Sequence, residues 1–395
     1  MKLDPLTSLL IAAVVLLIGT LINRRVRFLA HYNIPDPITG GLLFAAVASI
    51  AWAATDFTFT MDQTIKPELL LMFFAGAGLC ADLRMLKRGG KALLIFLLVL
   101  FPYVLLQNMV GVATAKALDL HPIFGLIGGS ITLLGGHGTG AAYAGRFAEV
   151  NNLQAVMELS MTVATLGLIL GGIIAGPIAQ YLINRYKLRS QASIDATAEE
   201  GDKEVSITTV GMIGALAAIL AAVVGGHRLA VEFSGGVITI PSFLWCMILG
   251  VAIRNLIPFT GVHIDDRASN IISSVSLSLF LVMTMMALNL VEVALAAGPL
   301  LMIIAVQVVV LAAYAVFICF RFLGRDYEAS VTTSAFIGFS MGSTATAMVN
   351  MQAVTQKYGP APQSYLIVPL AGAFFVDLMN AFILTGMLAL PFIGG

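Results

Sequence analysis

Long apolar runs separated by short polar loops dominate the chain. Ten of them are roughly 17–25 residues long, enough to cross a bilayer as helix: about 6–23, 38–54, 68–86, 92–115, 155–183, 207–227, 238–256, 271–290, 298–320 and 364–390. Two further apolar segments, 122–146 and 330–350, are interrupted by clustered Gly, Ser and Thr. In the first, residues 133–142 read "LLGGHGTGAA". An interior helix glycine costs about 1 kcal/mol relative to alanine, and lipid makes unpaired backbone groups costly. These two segments are therefore expected to be broken or re-entrant hairpins, tolerated only where protein or water shields the freed backbone.

Composition strengthens this pattern. Of the 395 residues, 59% are hydrophobic and only 11% charged, against about 25% charged in ordinary soluble domains. The class is an all-α polytopic membrane protein. Net charge is zero and no basic tract occurs, which argues against nucleic acid as a partner. Cys80, Cys246 and Cys319 lack CxxC spacing and read as packing residues. The first run is followed rather than preceded by Arg24, Arg25 and Arg27, with no small-residue cleavage site, so it is expected to be a retained transmembrane helix.

Positive charge then sets orientation. Arg84, Lys87, Arg88 and Lys91, Arg185, Lys187 and Arg189, and Arg321 and Arg325 all fall on the side of Arg24 if both termini are outside. Residues 184–206 are charged and low in aromatics, and read as a flexible cytoplasmic linker.

A linker at mid-chain suggests two halves. A shift of about 204 residues lays Pro37 on Pro241 and "HGTGAA" on "MGSTAT"; a shift of 209 lays "ATLGLILGG" on "AFFVDLMNA". Each half carries five full crossings and one broken hairpin. An odd number forces opposite orientations, so 1–183 and 207–395 are expected to be inverted-topology repeats of five transmembrane helices, as in secondary transporters.

The glycine cluster is not a nucleotide loop. No Gly-Lys-Ser/Thr follows, no soluble strand precedes it, and no ribose-binding acid is placed correctly. Close helix packing through small residues accounts for single glycines, but less well for four glycines with a histidine and a threonine in six residues. A half-helix starting inside the membrane directs free N–H groups and a positive dipole end at its ligand, which suits a carboxylate. One that ends there offers carbonyl oxygens to a small cation such as Na⁺. Ser130, Thr132 and Thr139 add hydroxyls in the first hairpin; Ser340, Ser343, Thr344 and Thr346 do so in the second. Asp377, with Asn380 on the same helix face, is an ionisable residue inside a span. It reads as an amino-group partner, a cation ligand or an acid paired with a neighbouring helix. His137 fits a proton carrier or a structural, hydrogen-bonded cap.

The segments "SITLLGGHGTGAA", "IPDPITGGLL", "SVSLSLFLVM", "TLGLILGG" and "VPLAGAFFVDLMNA" resemble those of the bacterial sodium/glutamate symporter family. The similarity covers nearly the whole chain. It implies Na⁺-coupled uptake of L-glutamate at the bacterial inner membrane, a homodimer, an elevator-like movement, and no cofactor beyond Na⁺ as coupling ion. Residue by residue, Ser130, Thr132, Gly135, Gly136, His137, Gly138, Thr139 and Gly140 match the first-hairpin motif. Ser340, Gly342, Ser343 and Thr344 occupy the second hairpin, and Asp377 and Asn380 the last helix. The hairpin N–H groups and hydroxyls are expected to hold the substrate carboxylates, and Asp377 the amino group or a sodium ion. Carbonyls at the breaks, with Asn380 or Thr165, are expected to complete sodium coordination, and Thr346 is a further sodium candidate.

Other readings are a Na⁺- or H⁺-coupled carrier of another small carboxylate, an ion channel with a hydroxyl and carbonyl filter, and an intramembrane enzyme. Inverted halves favour alternating access over a channel. The sequence has no HExxH and no base paired with its serine-rich hairpin, so an enzyme is not expected.

Overall fold

The structure, a computed structural model, describes residues 3–27, 29, 34–55, 61–150, 156–190, 207–233, 240–257, 264–287, 290–390 and 393. Among these there are helices and no strands. Most of the expected central linker, 191–206, lies outside the described residues.

The first half contributes α1 (Pro5–Arg25), α2 (Asp36–Thr55), α3 (Lys66–Leu79), α4 (Met85–Ala117), α5 (Pro122–Leu126), α6 (Gly136–Val150) and α7 (Val156–Tyr186). The second contributes α8 (Thr209–Glu232), α9 (Ser242–Leu256), α10 (Asp266–Met286), α11 (Leu290–Tyr314), α12 (Tyr327–Met341), α13 (Thr344–Tyr358), α14 (Pro362–Leu370) and α15 (Val376–Leu388). Wide π-turns extend α5 through Ile127–Ile131, α11 through Ala315–Cys319 and α14 through Ala371–Phe375.

Among the described residues, six helices are long and apolar enough to cross a membrane: Pro5–Arg25, Gly89–Ala117, Val156–Tyr186, Thr209–Glu232, Asp266–Met286 and Gly298–Phe322. The remaining apolar helices are shorter. The run expected over 68–86 is a helix of only 14 residues ending at Leu79, and the run expected over 364–390 is interrupted by a wide turn. Sequence sets the helix ends locally. Asp4 caps α1, accepting the Thr7 N–H at 3.0 Å, with Pro5 at the first helical position. Gly90, at φ 55°, separates the start of α4 from its apolar span.

The chain forms two compact units, and neither coincides with a half of the sequence: Met1–Asp82 joins Ile207–Leu295, and Leu83–Ser206 joins Ala296–Gly395. The first unit holds α1–α3 and α8–α10, the first three helices of each half. Its helices cross closely where side chains are absent. A Cβ on Gly78 would meet the Met247 carbonyl, and one on Gly250 the Ala75 carbonyl, as expected where packing rather than water drives helix association. The Ser273 hydroxyl donates to the Phe73 carbonyl at 2.9 Å. Asn23 donates to Asp36 Oδ1 at 2.6 Å, and Thr20 donates to Asp36 Oδ2 at 2.8 Å. The Asp36 carboxylate is thereby satisfied between α1 and α2.

The second unit holds α4–α7, α11 from residue 296, and α12–α15. Its core is aromatic. Tyr103 of α4 lies 5.0 Å from Tyr314 of α11 and 5.2 Å from Phe336 of α12 between ring centroids. Phe96 meets Phe339 at 6.0 Å. The Tyr314 hydroxyl donates to the Val99 carbonyl at 2.8 Å, so the one polar atom α11 brings to this cluster is paired. These contacts seat α12 against α4 and hold its C-terminal end in the interior of the unit.

Candidate functional site

Both glycine- and serine-rich segments contain a chain break, and both breaks lie in the second unit. The first break is displaced from the expected position. Gly129 leaves helical geometry at φ −110° and ψ −139°, and Gly136 sits at φ +63°, where L side chains are disfavoured. Between them the chain turns, and α6 then runs helically through "GHGTGAA". Gly138, Thr139 and Gly140 are therefore helical rather than loop residues. The second break is short: α12 stops at Met341, Gly342 turns the chain at φ −156° and ψ −94°, and Ser343 is extended before α13.

The two breaks face each other. A Cβ on Gly136 would stand 3.5 Å from the Gly342 carbonyl oxygen. Gly135, Gly136, Ser343 and Thr344 are half-buried tips, whereas His137, Thr139, Ser130 and Ser340 are buried. Beyond each tip a helix begins. The N–H groups of His137 and Gly138 on α6, and of Thr344 and Ala345 on α13, have no partner among the described residues. Ser343 caps α13 by accepting the Thr346 N–H at 3.3 Å. Two half-helix N-termini, each with free donors and a positive dipole end, thus converge on one place.

Two helices bridge the breaks. On α4 the Gln107–Asn108 dipeptide serves both: Asn108 accepts the Ser130 N–H at 2.9 Å and donates to Ser130 Oγ at 2.8 Å, while Gln107 Nε2 donates to the Ser340 carbonyl at 2.8 Å. Neighbouring helical side chains diverge by about 100°, so one turn of α4 reaches both breaks and replaces partners their backbones lost. Gln307 of α11 donates to the Gln107 carbonyl at 2.7 Å and steadies that turn. The last broken helix does the same from another side. Asn380 donates to the Ser130 carbonyl at 2.9 Å, and the Gly372 carbonyl accepts the Thr344 hydroxyl at 3.2 Å.

Other expected residues have local commitments. Thr132 Oγ1 donates to the Ile127 carbonyl at 2.5 Å. Thr165 gives its one hydroxyl proton to the Met161 carbonyl at 2.9 Å, so the 3.0 Å contact with His137 has His137 Nε2 as donor. His137 on α6 is thereby hydrogen-bonded to α7. Thr346 lies 3.3 Å from the Ser343 hydroxyl. Gly140 lets α6 pack beside Thr132 and Ser160. Asp377, one turn before Asn380, is half-buried and has no hydrogen bond or ion pair among the described residues. Among those residues no group of three or more acidic, histidine or cysteine side chains could hold a metal ion.

Gln107, Asn108 and Gln307 were not among the residues expected from sequence. Their signal was nonetheless present: three amides inside otherwise apolar spans, where polar side chains are costly and usually functional.

A family described as sodium/glutamate symporter matches residues 1–360. The chain belongs to the sodium/glutamate symporter family. Among its relatives, the sodium/glutamate symporter of Haemophilus influenzae is 39% identical over 385 residues, covering 95% of each chain. That of Escherichia coli K12 is 37% identical over 398 residues, covering 100% of this chain and 99% of the relative. Among solved structures, the sodium proton antiporter MjNhaP1 from Methanocaldococcus jannaschii aligns over 99% of both chains at 17% identity, with a TM-score of 0.43. The glycine motif, the serine-rich break and Asp377 are thus positions of a sodium/glutamate symporter chain.

Proposed function

We propose that the protein is a secondary active transporter that imports L-glutamate with Na⁺, and that the two facing breaks are its binding site. The observation that carries this reading is the convergence of the α6 and α13 N-termini, with Gly136 beside Gly342. Glutamate has two carboxylates, and the site has two sets of free backbone donors; one set holds each carboxylate. Gly135, Gly136 and Gly138 let the substrate approach the backbone, with Thr139, Ser343 and Thr344 supplying hydroxyls. Asp377 takes the ammonium group or a sodium ion. Asn380, whose Oδ1 is buried and unpaired among the described residues, joins Thr165 and Thr346 in holding sodium through neutral oxygens.

The wider reading follows from chain order and composition. The halves 1–183 and 207–395 are inverted repeats around a cytoplasmic linker, in a protein of the bacterial inner membrane with both termini periplasmic. The protein works as a homodimer, and the unit containing both breaks carries the site across the membrane. The division into two compact units, each drawing matching helices from both halves, supports that elevator-like movement.

The test is radiolabelled L-glutamate uptake into proteoliposomes under an inward Na⁺ gradient, with K⁺ and pH-gradient controls. Accumulation that requires Na⁺ is expected. Accumulation of another carboxylate, with none of glutamate, would replace the substrate and keep the architecture.

A further inference from the structure

Three amides in the second unit are fixed in orientation by their partners. Gln107, Gln307 and Asn380 each face a carbonyl oxygen, that of Ser340, Gln107 and Ser130 respectively. A carbonyl only accepts, so each amide must turn its NH₂ toward it and its own oxygen away. Those oxygens, Gln107 Oε1, Gln307 Oε1 and Asn380 Oδ1, are buried without a partner among the described residues. So is Ser340 Oγ, on the residue whose carbonyl Gln107 holds. All four residues are at most 1% exposed. Buried polar atoms are normally paired, and several orphans together call for an explanation.

At one of these places the orphans coincide with a second feature. Ser340 lies in the last turn of α12, a 15-residue helix ending inside the unit. Its final carbonyls form the negative end of the helix dipole. Gln107 Oε1 and Ser340 Oγ are therefore unsatisfied oxygens on hydrogen-bonded residues, at a helix end that attracts positive charge. Every ligand offered is a neutral oxygen, which suits a hard, singly charged cation.

We propose that the junction of Gln107 and Ser340, at the carbonyl end of α12, is a binding site for a coupling sodium ion, separate from the one assigned to Asp377. This rests on the sodium-coupled reading above and adds an ion to it. Gln107 then has two tasks. Its NH₂ fixes the Ser340 carbonyl and its Oε1 ligates the ion, while Ser340 contributes Oγ. Because Gln107 is joined to Asn108, which clasps Ser130, filling this site also steadies the first break.

The decisive variants are Ser340→Cys and Ser340→Ala. Both remove the hard hydroxyl oxygen and keep the backbone carbonyl that Gln107 holds; the cysteine also keeps the side chain's shape. Gln107→Met keeps volume and removes the amide. In proteoliposomes, Ser340→Cys and Ser340→Ala are expected to raise the Na⁺ concentration for half-maximal uptake by about tenfold, the loss of one good ligand interaction, and to change the Na⁺ to Li⁺ preference. Glutamate KM at saturating Na⁺ should shift less than the Na⁺ requirement does. Gln107→Met should shift both the Na⁺ requirement and glutamate KM. An unchanged Na⁺ requirement and Na⁺ to Li⁺ ratio in Ser340→Cys would overturn the site, leaving the orphaned oxygens to buried water. So would equal shifts in Na⁺ and glutamate affinity at an unchanged ratio. Absence of Na⁺-driven glutamate uptake by the unaltered protein would instead refute the underlying function.

Discussion

Asn380 on the last helix donates its side-chain N–H to the Ser130 carbonyl at 2.9 Å, 250 residues away in sequence. Ser130 is also held on two atoms by Asn108, so one serine in the first break is tied to both a first-half and a second-half helix. Replacing Asn380 by Leu removes the donor and strands a buried carbonyl, at a cost of about 1–3 kcal/mol. Thermal unfolding of the purified variant should show this loss, and Na⁺-dependent uptake should fall at least in proportion to the folded fraction.

Gly136 sits at φ +63° within van der Waals reach of the second break. Alanine there is expected to cost about 1–2 kcal/mol and to place a methyl between the breaks. Asparagine tolerates the backbone angle better but also fills the gap. Unfolding temperature should therefore be lower for Gly136→Ala than for Gly136→Asn, while glutamate KM rises in both. A normal KM in Gly136→Asn would show that the gap does not receive substrate.

Asp377 has no hydrogen bond or ion pair among the described residues, so its carboxyl group is available to a ligand. Asp377→Asn is expected to weaken glutamate or Na⁺ by about tenfold or more, as hydrogen bonds to charged groups contribute more than neutral ones. Competition separates the roles. If Asp377 holds the ammonium group, glutarate, which lacks it, should compete as well against the variant as glutamate does. If it holds sodium, the Na⁺ requirement rises and the preference for glutamate over glutarate persists.

Gly111 of α4 packs on the Gly125 backbone, and each would drive a Cβ into the other's main chain. Gly111→Val therefore cannot be absorbed by a side-chain shift. Overpacking of this kind costs about 1–3 kcal/mol or more. Loss of the monodisperse peak in size-exclusion chromatography is the expected readout, with a comparable loss for Gly250→Val in the first unit.

Much of this was legible in the pattern of residues. Apolar runs mark most of the helices, and clustered small residues mark both breaks, because an interrupted apolar run has few physical explanations. The details were less legible. "GGHGTGAA" reads as the break itself, yet only Gly135 and the positive-φ Gly136 lie at the turn; the rest of the segment is helix, where Gly140 packs beside Thr132. What moves the break upstream is Asn108, which can satisfy Ser130, and that pairing joins residues 22 positions apart. Likewise the apolar run 364–390 hides the wide turn at Ala371–Phe375, where Gly372 meets Thr344. Contacts across 200 residues, such as that from Gln307 to Gln107, leave no local trace beyond a polar side chain in an apolar run.

The most direct test of the facing breaks is protection from alkylation. Ala345, exposed at the start of α13, is changed to Cys after Cys80, Cys246 and Cys319 are replaced, and maleimide labelling is timed in proteoliposomes. If the breaks form the site, L-glutamate slows labelling in Na⁺ but not in K⁺, and a cysteine at Val210, at the far-exposed start of α8, labels at one rate throughout. A labelling rate at position 345 that ignores glutamate, in protein that still accumulates it with Na⁺, would contradict the account.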